Sequence, residues 1–598
     1  MTNYFATLSL LTASAVALPT TAEDRFDYVI VGGGTSGLVV AHRLSELADI
    51  TVAVIEAGDS VYDNPNVTNV DGFGLALGTQ IDWAYESAPQ TYANGKSQKL
   101  RAAKALGGSS TINGMYYARA QNVQVNSWGA LGNEGWSWEE LLPYYKKSEH
   151  IQPPTSEQQA VGITYLPEFH GTDGPLAVGW KVDMMNKTIT DIINKTHEAI
   201  GVSYNPDLAH GDMVGWAFGE HTQDNQLNVR EDAARAYYWP FTDRQNYHLF
   251  VNTEAQKLVW DKTASGADAK ASGVLVTDSK TGESRTIYAN KEVILSAGAV
   301  RTPVLLELSG VGNPSILKAA GIDVKIDLPT VGENLQDQAL NSFDGESSKT
   351  LTGRSSYVAY PNYEQVFGDD AATVAEELKS NLQAYAQATS ESTNGVVTTA
   401  QLEKFFQIQY DHIFADKIPV GEALLLPADS SFSNSYWGLL PFARGSVHVT
   451  GTTGEYPAKL DPNYFMLDFD TKLQVAMTKY MRKYYNTAPL GELFAAETTP
   501  GLEAVPAEAG DETWTKWVHE NCKRYRNFFD ILILTLSHTA QTSIPELGGV
   551  VDSHLRLYGA SNVRVVDAGV IPLQICGHLV GTLYAIAEKA SDLINADV

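Results

Sequence analysis

The sequence predicts an α/β fold in which helices cover both faces of a parallel sheet, and three observations carry that prediction. Asp27-Tyr28-Val29-Ile30-Val31 is an apolar run of strand length that leads into Gly32-Gly33-Gly34-Thr35-Ser36-Gly37. Leu38-Val39-Val40-Ala41-His42-Arg43-Leu44 follows at helical spacing, and a second apolar run, Thr51 to Ile55, ends in Glu56. Further runs of the same kind, Glu292-Val293-Ile294-Leu295-Ser296 and Val563-Arg564-Val565-Val566-Asp567, lie hundreds of residues downstream. Strands this continuously apolar are buried on both faces, as a parallel sheet under helices requires.

The first of these segments carries chemistry. With 49 glycines in 598 residues, a GxGxxG match arises by chance roughly 0.3 times, so the pattern Gly32-x-Gly34-x-x-Gly37 is weak by itself. Its context makes it specific: a strand before, a helix after, and an acid at the end of the next strand. Glycines let the backbone approach a pyrophosphate, the helix N-terminus offers unpaired N–H groups with Thr35 and Ser36 in its first turn, and Glu56 accepts ribose hydroxyls. An adenine dinucleotide is expected, and the spacing alone leaves NAD and FAD open.

Between the sheet segments, residues 121–224 and 331–547 are richer in aromatics, Pro and Asn, with helical patterns at Ala371 to Ala388 and Leu402 to Phe414. They read as a second domain interrupting the first, which comprises 24–120, 225–330 and 548–598. No repeat of 20–50 residues is apparent.

Composition narrows the partners. The chain is 44% apolar and 19% charged, with a net charge of −28 from 42 Lys+Arg against 70 Asp+Glu. Such a balance repels phosphate backbones and anionic membranes, excluding nucleic acid and membrane as expected partners. Residues 1–22 hold an apolar stretch from Tyr4 to Leu18, the length of a secretory h-region, although no Lys or Arg precedes it. A secreted, extracellular protein is expected, and the sequons at Asn66, Asn186 and Asn194 agree with glycosylation. Cys522 and Cys576 allow at most one disulfide, and 13 His residues without HxxxH or HExxH spacing give no metal site.

Two more segments stand out. Ala103-Lys104-Ala105-Leu106-Gly107-Gly108-Ser109-Ser110-Thr111-Ile112-Asn113-Gly114 is small-residue rich and suited to covering phosphate or a flat ring, or to forming a flexible loop. Val566 to Leu579 contains Cys576-Gly577-His578 just before an apolar helix, Thr582 to Ile594. A lone His is more often structural than catalytic. A neutral imidazole, whose unperturbed pKa is about 6.5, can however take a proton from a hydroxyl near neutral pH, which makes His578 a candidate base.

Together these segments resemble the glucose-methanol-choline (GMC) family of FAD-dependent oxidoreductases over nearly all the mature chain. The family's second signature resembles Gly298 to Gly312. Leu131 to Trp136, Asn228 to Arg235 and Gly332 to Gln338 look most like secreted fungal glucose dehydrogenases and oxidases. The resemblance implies a Rossmann-like FAD-binding domain with an interleaved α+β substrate-binding domain. It implies non-covalent FAD, because residues 103–115 lack the His that some relatives use for attachment. Gly32, Gly34, Thr35, Ser36, Gly37, Glu56, Gly107, Ser109, Asn113, Gly114, Ala255 and Asp567 are the cofactor-binding positions. Glu56 would hold the adenosine ribose, Ala255 the adenine, Asn113 the isoalloxazine, and Asp567 the ribityl and phosphate region. The resemblance further implies a sugar or other alcohol as substrate and oxygen or a quinone as electron acceptor, and a homodimer is compatible with the family. His578 is expected to remove the hydroxyl proton.

One stretch departs from the family. Relatives carry a segment resembling Asn-Phe-His-Pro-Val-Gly-Thr before Gly-Gly-Val-Val-Asp, which is present here at Gly548 to Asp552. Upstream, Asn527-Phe528 and Thr539-Ala540 match the ends of that segment, but its His-Pro-Val-Gly core is missing and about six extra, mostly apolar residues intervene. Three readings stay open. His538 takes the second catalytic place, efficient catalysis has been lost, or residues 529–538 are an artefact of gene prediction, which the Ile-Leu-Ile-Leu run favours.

Overall fold

The structure is a computed structural model of the chain and describes residues 24–181, 186–262, 268–353, 357–454, 456–522 and 541–597. The N-terminal segment 1–22 and the departing stretch with His538 lie outside the described residues. The elements that build the first sheet are β1 (Arg25–Val31), α1 (Thr35–Leu44), β2 (Val52–Ile55), β3 (Tyr247–Phe250), β4 (Thr253–Trp260), β5 (Ala271–Asp278), β6 (Ser284–Leu295), α2 (Gly298–Leu308), β7 (Val563–Val565) and α3 (Leu579–Ala596).

Strand order is β3-β2-β1-β6-β5-β4, with β7 also on β6. β1 is the centre: Val29 pairs in parallel with Ala53 on one side and Val293 on the other. Val29, Ile30, Val52, Ala53, Val54, Val293 and Ile294 have no exposed surface. Each such Val or Ile contributes about 1.5–3 kcal/mol on burial, which is why these runs are apolar on both faces.

β6 begins eight residues before the expected run, because its first half has a different environment. Residues 284–288 pair antiparallel with β5 and are partly exposed, whereas Val293, Ile294 and Leu295 pair in parallel with β7 and are buried. Only the doubly covered half reads as continuously apolar. β7 stops at Val565, short of the expected Asp567, since the Asp567 carboxylate caps the 3-10 turn Ala568–Val570 through the Gly569 N–H at 2.8 Å. α1 starts at Thr35, three residues before the apolar periodicity, when the Leu38 N–H closes on the Gly34 carbonyl at 3.1 Å. It packs against α3.

A second, antiparallel sheet has the order Phe494–Thr499, Leu340–Leu351, Gly421–Gly438, Tyr357–Tyr360, Gly215–Phe218. The two expected helices are present as Ala371–Ser392 and Thr399–Phe414. The latter starts earlier than its apolar pattern because Thr398 and Gln401 form a capping box. Cys522 and Cys576 are both buried and are not bonded to each other, so the single permitted disulfide is not made.

Two histidines, His170 buried and His448 partly buried, tie the fold to pH. His448 bridges Glu307 at 2.8 Å and Glu333 at 3.1 Å. Burial lowers its pKa, but the hydrogen bonds to the two carboxylates outweigh that and raise it to about 9. His170 lies between Asp207 at 3.0 Å and Glu149 at 3.1 Å, where the same opposition settles at about 10. Glu149, His170 and Glu220 are close enough to hold a cation. However, both ring nitrogens of His170 already face carboxylates, and the Arg119 guanidinium, 2.9 Å from Glu149, supplies positive charge.

Both histidines have folded pKa values above their ordinary 6.5. The stability they contribute is therefore complete below about pH 6.5 and is lost as pH rises through about 9 and 10. Thermal unfolding is expected to show a Tm at least about 2 °C lower at pH 10 than at pH 7. His448→Gln should flatten that slope, and an unchanged slope would contradict the assignment.

Candidate active site and cofactor cavity

The β1–α1 turn is set by its glycines. Gly32 has φ +108°, and a Cβ there would fall 2.3 Å from the Ser296 carbonyl oxygen; one on Gly37 would fall 2.0 Å from the Gly32 oxygen. Both positions exclude any side chain. The resulting turn opens a cavity lined by the α1 start, Glu56, Trp83, Tyr85, the α2 start and Leu579.

Of the expected cofactor positions, Gly32, Gly34, Thr35, Ser36, Glu56, Ser109, Ala255 and Asp567 line this cavity. Gly37, Gly107, Asn113 and Gly114 are not among its lining residues. Gly107 instead joins the two glycine segments, its N–H donating to the Gly33 carbonyl at 2.7 Å. The Asn113 side-chain oxygen accepts from Arg230 Nη1 at 2.7 Å and from the Met115 N–H at 3.0 Å.

Glu56 accepts from the Gly33 and Gly58 N–H groups at 2.9 and 2.7 Å. Burial raises its pKa to about 7 against the pull of those two donors. Asp567 is more structural than the sequence implied. Its carboxylate accepts from the Gly298 N–H at 2.9 Å, the Thr302 hydroxyl at 2.6 Å and the Gly569 N–H, and so ties the second signature to the C-terminal segment. Burial nonetheless raises its pKa.

Three features of the cavity fit a dinucleotide. The first turn of α1 has no side-chain cap, leaving its N–H groups for an anion. The buried Ser296 hydroxyl, on the cavity wall, makes no hydrogen bond to a described residue. A Cβ on Gly34 would meet only Gly108 Cα, at 3.5 Å, so its absence leaves space on the cavity side alone. Trp83 stands at the wall with the Arg301 guanidinium 3.8 Å and Lys104 Nζ 4.3 Å from its ring centroid.

His578 precedes α3, and its neighbour Leu579 lines the cavity. Its Nε2 is 2.7 Å from Glu422 Oε1. The ring stacks on Tyr116 at 5.0 Å and meets the edge of Trp437 at 6.0 Å. Glu422, Tyr116 and Trp437 were not found from sequence. The available signal for Glu422 was a lone acid opening the apolar run Ala423 to Leu426, since a fully buried acid demands a partner.

This arrangement fixes the imidazole's chemistry. A carboxylate only accepts, so Nε2 carries the proton and donates it to Glu422. Nδ1, which makes no hydrogen bond to a described residue, is left bare and basic.

Comparison with known proteins agrees with this geometry. Two family models described as GMC oxidoreductase match residues 26–340 and 441–587. The chain is 42% identical to the glucose oxidase-like protein fsoC of Humicola fuscoatra, covering 96% of each chain. It is 33% identical to the glucose oxidase of Aspergillus carbonarius over 96% of this chain and 92% of that one. Among solved structures it is similar to an FAD-dependent oxidoreductase from Chaetomium thermophilum, with TM-score 0.85, 25% identity and coverage of 96% and 99% of the two chains. A fungal aryl-alcohol oxidase gives TM-score 0.83 at 25% identity, covering 96% and 100%. The strand–glycine turn–helix, the cavity it opens and the whole-chain likenesses lead to one conclusion: this chain belongs to the GMC oxidoreductases, an FAD-dependent oxidoreductase family, with FAD as its cofactor.

Proposed function

We propose that this chain oxidises a CH–OH group of a sugar, the anomeric hydroxyl of glucose to the lactone, with His578 as the base. The single observation that carries the reading is the His578–Glu422 pair beside a dinucleotide-shaped cavity. An alcohol carbon gives up hydride only as its hydroxyl proton leaves, so a base must stand within about 3 Å of the oxygen. His578 Nδ1 takes that proton, and the Glu422 carboxylate stabilises the imidazolium that forms. Non-covalently bound FAD, held by Glu56, Ala255, Ser109 and the α1 turn, supplies a hydride acceptor. Oxygen or a quinone then takes the electrons.

The sugar is favoured by the 42% and 33% identical relatives, whose names carry glucose oxidase. Oxidation of an aryl or aliphatic alcohol is the second reading, favoured by the likeness to an aryl-alcohol oxidase and by the Tyr116 and Trp437 rings beside His578. The division at 24–120, 225–330 and 548–598 against 121–224 and 331–547 is supported by the membership of the two sheets. We also read the chain as secreted. The exposed Asn186 is its most accessible sequon, whereas Asn194 is engaged with Glu198 and Trp216. Among the described residues no helix is long and apolar enough to cross a membrane.

Anaerobic mixing of the yellow protein with glucose, xylose and benzyl alcohol tests the reading. Bleaching by glucose is expected, and His578→Ala should slow it by at least about a hundredfold. Bleaching by benzyl alcohol alone would select the second reading. Bleaching by none of the three would mark a flavin-binding protein without turnover, and unchanged rates in the variant would remove His578 from the reaction.

A further inference from the structure

The Glu422 carboxylate has a second oxygen to account for. Oε1 is held by His578, but Oε2 is buried and makes no direct hydrogen bond to a described residue. An ionised carboxylate in a fully buried position is costly unless its lone pairs are met. The candidate donors are few. Cys576 is committed, its Sγ donating to the Pro419 carbonyl at 3.3 Å. Tyr360 is not: its hydroxyl is buried, makes no hydrogen bond of good geometry to a described residue, and has Glu422 as the carboxylate that interacts with it.

The strand register brings these two orphans together. Tyr357–Tyr360 runs antiparallel to Gly421–Gly438 with Tyr357 opposite Leu425, Val358 opposite Leu424 and Ala359 opposite Ala423. Continued by one residue, the ladder sets Tyr360 opposite Glu422, with both side chains on one face. The Tyr360 hydroxyl accordingly feels the Glu422 charge: after burial, that carboxylate is what raises its pKa most, so the hydroxyl stays a donor at any working pH.

We propose that Tyr360 is a positioning residue for the base, its hydroxyl donating to Glu422 Oε2 to complete a Tyr360–Glu422–His578 chain that sets how tightly the carboxylate–imidazole pair holds its proton. Dispersing charge from Oε2 makes the carboxylate a weaker base, so the imidazole releases its proton at lower pH than it would beside a bare carboxylate. The titratable groups facing Glu422 are His578 and Cys576 from the C-terminal segment, Tyr360 from the neighbouring strand and Tyr116 from the strand Tyr116–Tyr117. The thiol and both phenols are raised by burial and stay neutral, and burial lowers His221, which faces His578, well below its ordinary value.

The proposal rests on His578 being the base, and its test is read without substrate so that the two fail separately. In FAD-loaded protein carrying ring-13C histidine, with the His578 signal assigned through His578→Asn, NMR titration gives the apparent pKa of the pair. Tyr360→Phe is expected to raise it by about one unit, a tenfold gain in proton affinity, and to move the acid limb of flavin reduction upward equally. Replacing Tyr360 with 3-fluorotyrosine, a stronger donor of almost the same shape, should lower it. The opposite signs separate donation from packing, and the fluorinated protein decides the matter if Tyr360→Phe does not fold. An apparent pKa that the fluorine leaves unmoved, or that Tyr360→Phe leaves unmoved in folded protein, overturns the proposal.

Discussion

Glu422→Gln is expected to slow substrate reduction of the bound flavin by about a thousandfold while leaving the protein folded and yellow. The substitution keeps the shape of a side chain with no exposed surface, so packing is unchanged. Two things are lost with the charge. The imidazolium formed when His578 takes the substrate proton no longer has a carboxylate 2.7 Å from Nε2. The amide also brings a donor: if its NH2 faces His578, Nε2 becomes the acceptor, the proton moves to Nδ1, and the basic atom is the one turned from substrate. In serine proteases the corresponding carboxylate-to-amide change costs about 10⁴ in turnover, the scale against which to set this loss. Stopped-flow reduction under argon measures it directly. A rate within about tenfold of the parent would mean that Glu422 neither orients nor charges the base.

The second large effect concerns the cofactor. Gly34→Val is expected to yield folded protein that retains less than about a tenth of the parent's flavin. Gly34 has φ −96°, a conformation open to any residue, and a Cβ would meet only Gly108 Cα at ordinary contact distance. The valine methyls must therefore occupy the cavity, over the uncapped N–H groups of α1. The same change at Gly32 would act differently, since φ +108° and a 2.3 Å contact with the Ser296 carbonyl oppose the fold itself. Flavin absorbance per protein and the unfolding temperature of the apoprotein separate the two cases. Full flavin content in Gly34→Val would displace the dinucleotide from this cavity.

Legibility in the sequence followed the range of the interactions. β1, α1 and β2 were readable because strand burial and helix entry are written in consecutive residues, and the turn between them needs glycine at defined positions. The early half of β6 was not, because its antiparallel, partly exposed pairing leaves no unbroken apolar run. β3 was missed too: its place beside β2 depends on a register spanning nearly two hundred residues. Asp567 stood out in the sequence, yet that it binds the Gly298 and Thr302 groups of the second signature depends on contacts across 269 and 265 positions.

Residue order alone determined that a dinucleotide turn follows the first strand and that an imidazole precedes the last helix, because both are local patterns of glycine, apolar and polar residues. Only the folded chain decided which nitrogen of His578 faces a carboxylate. That choice is made by one hydrogen bond to a carboxylate 156 positions away, on a strand of the other sheet, and a bond between such distant segments leaves no periodicity to read.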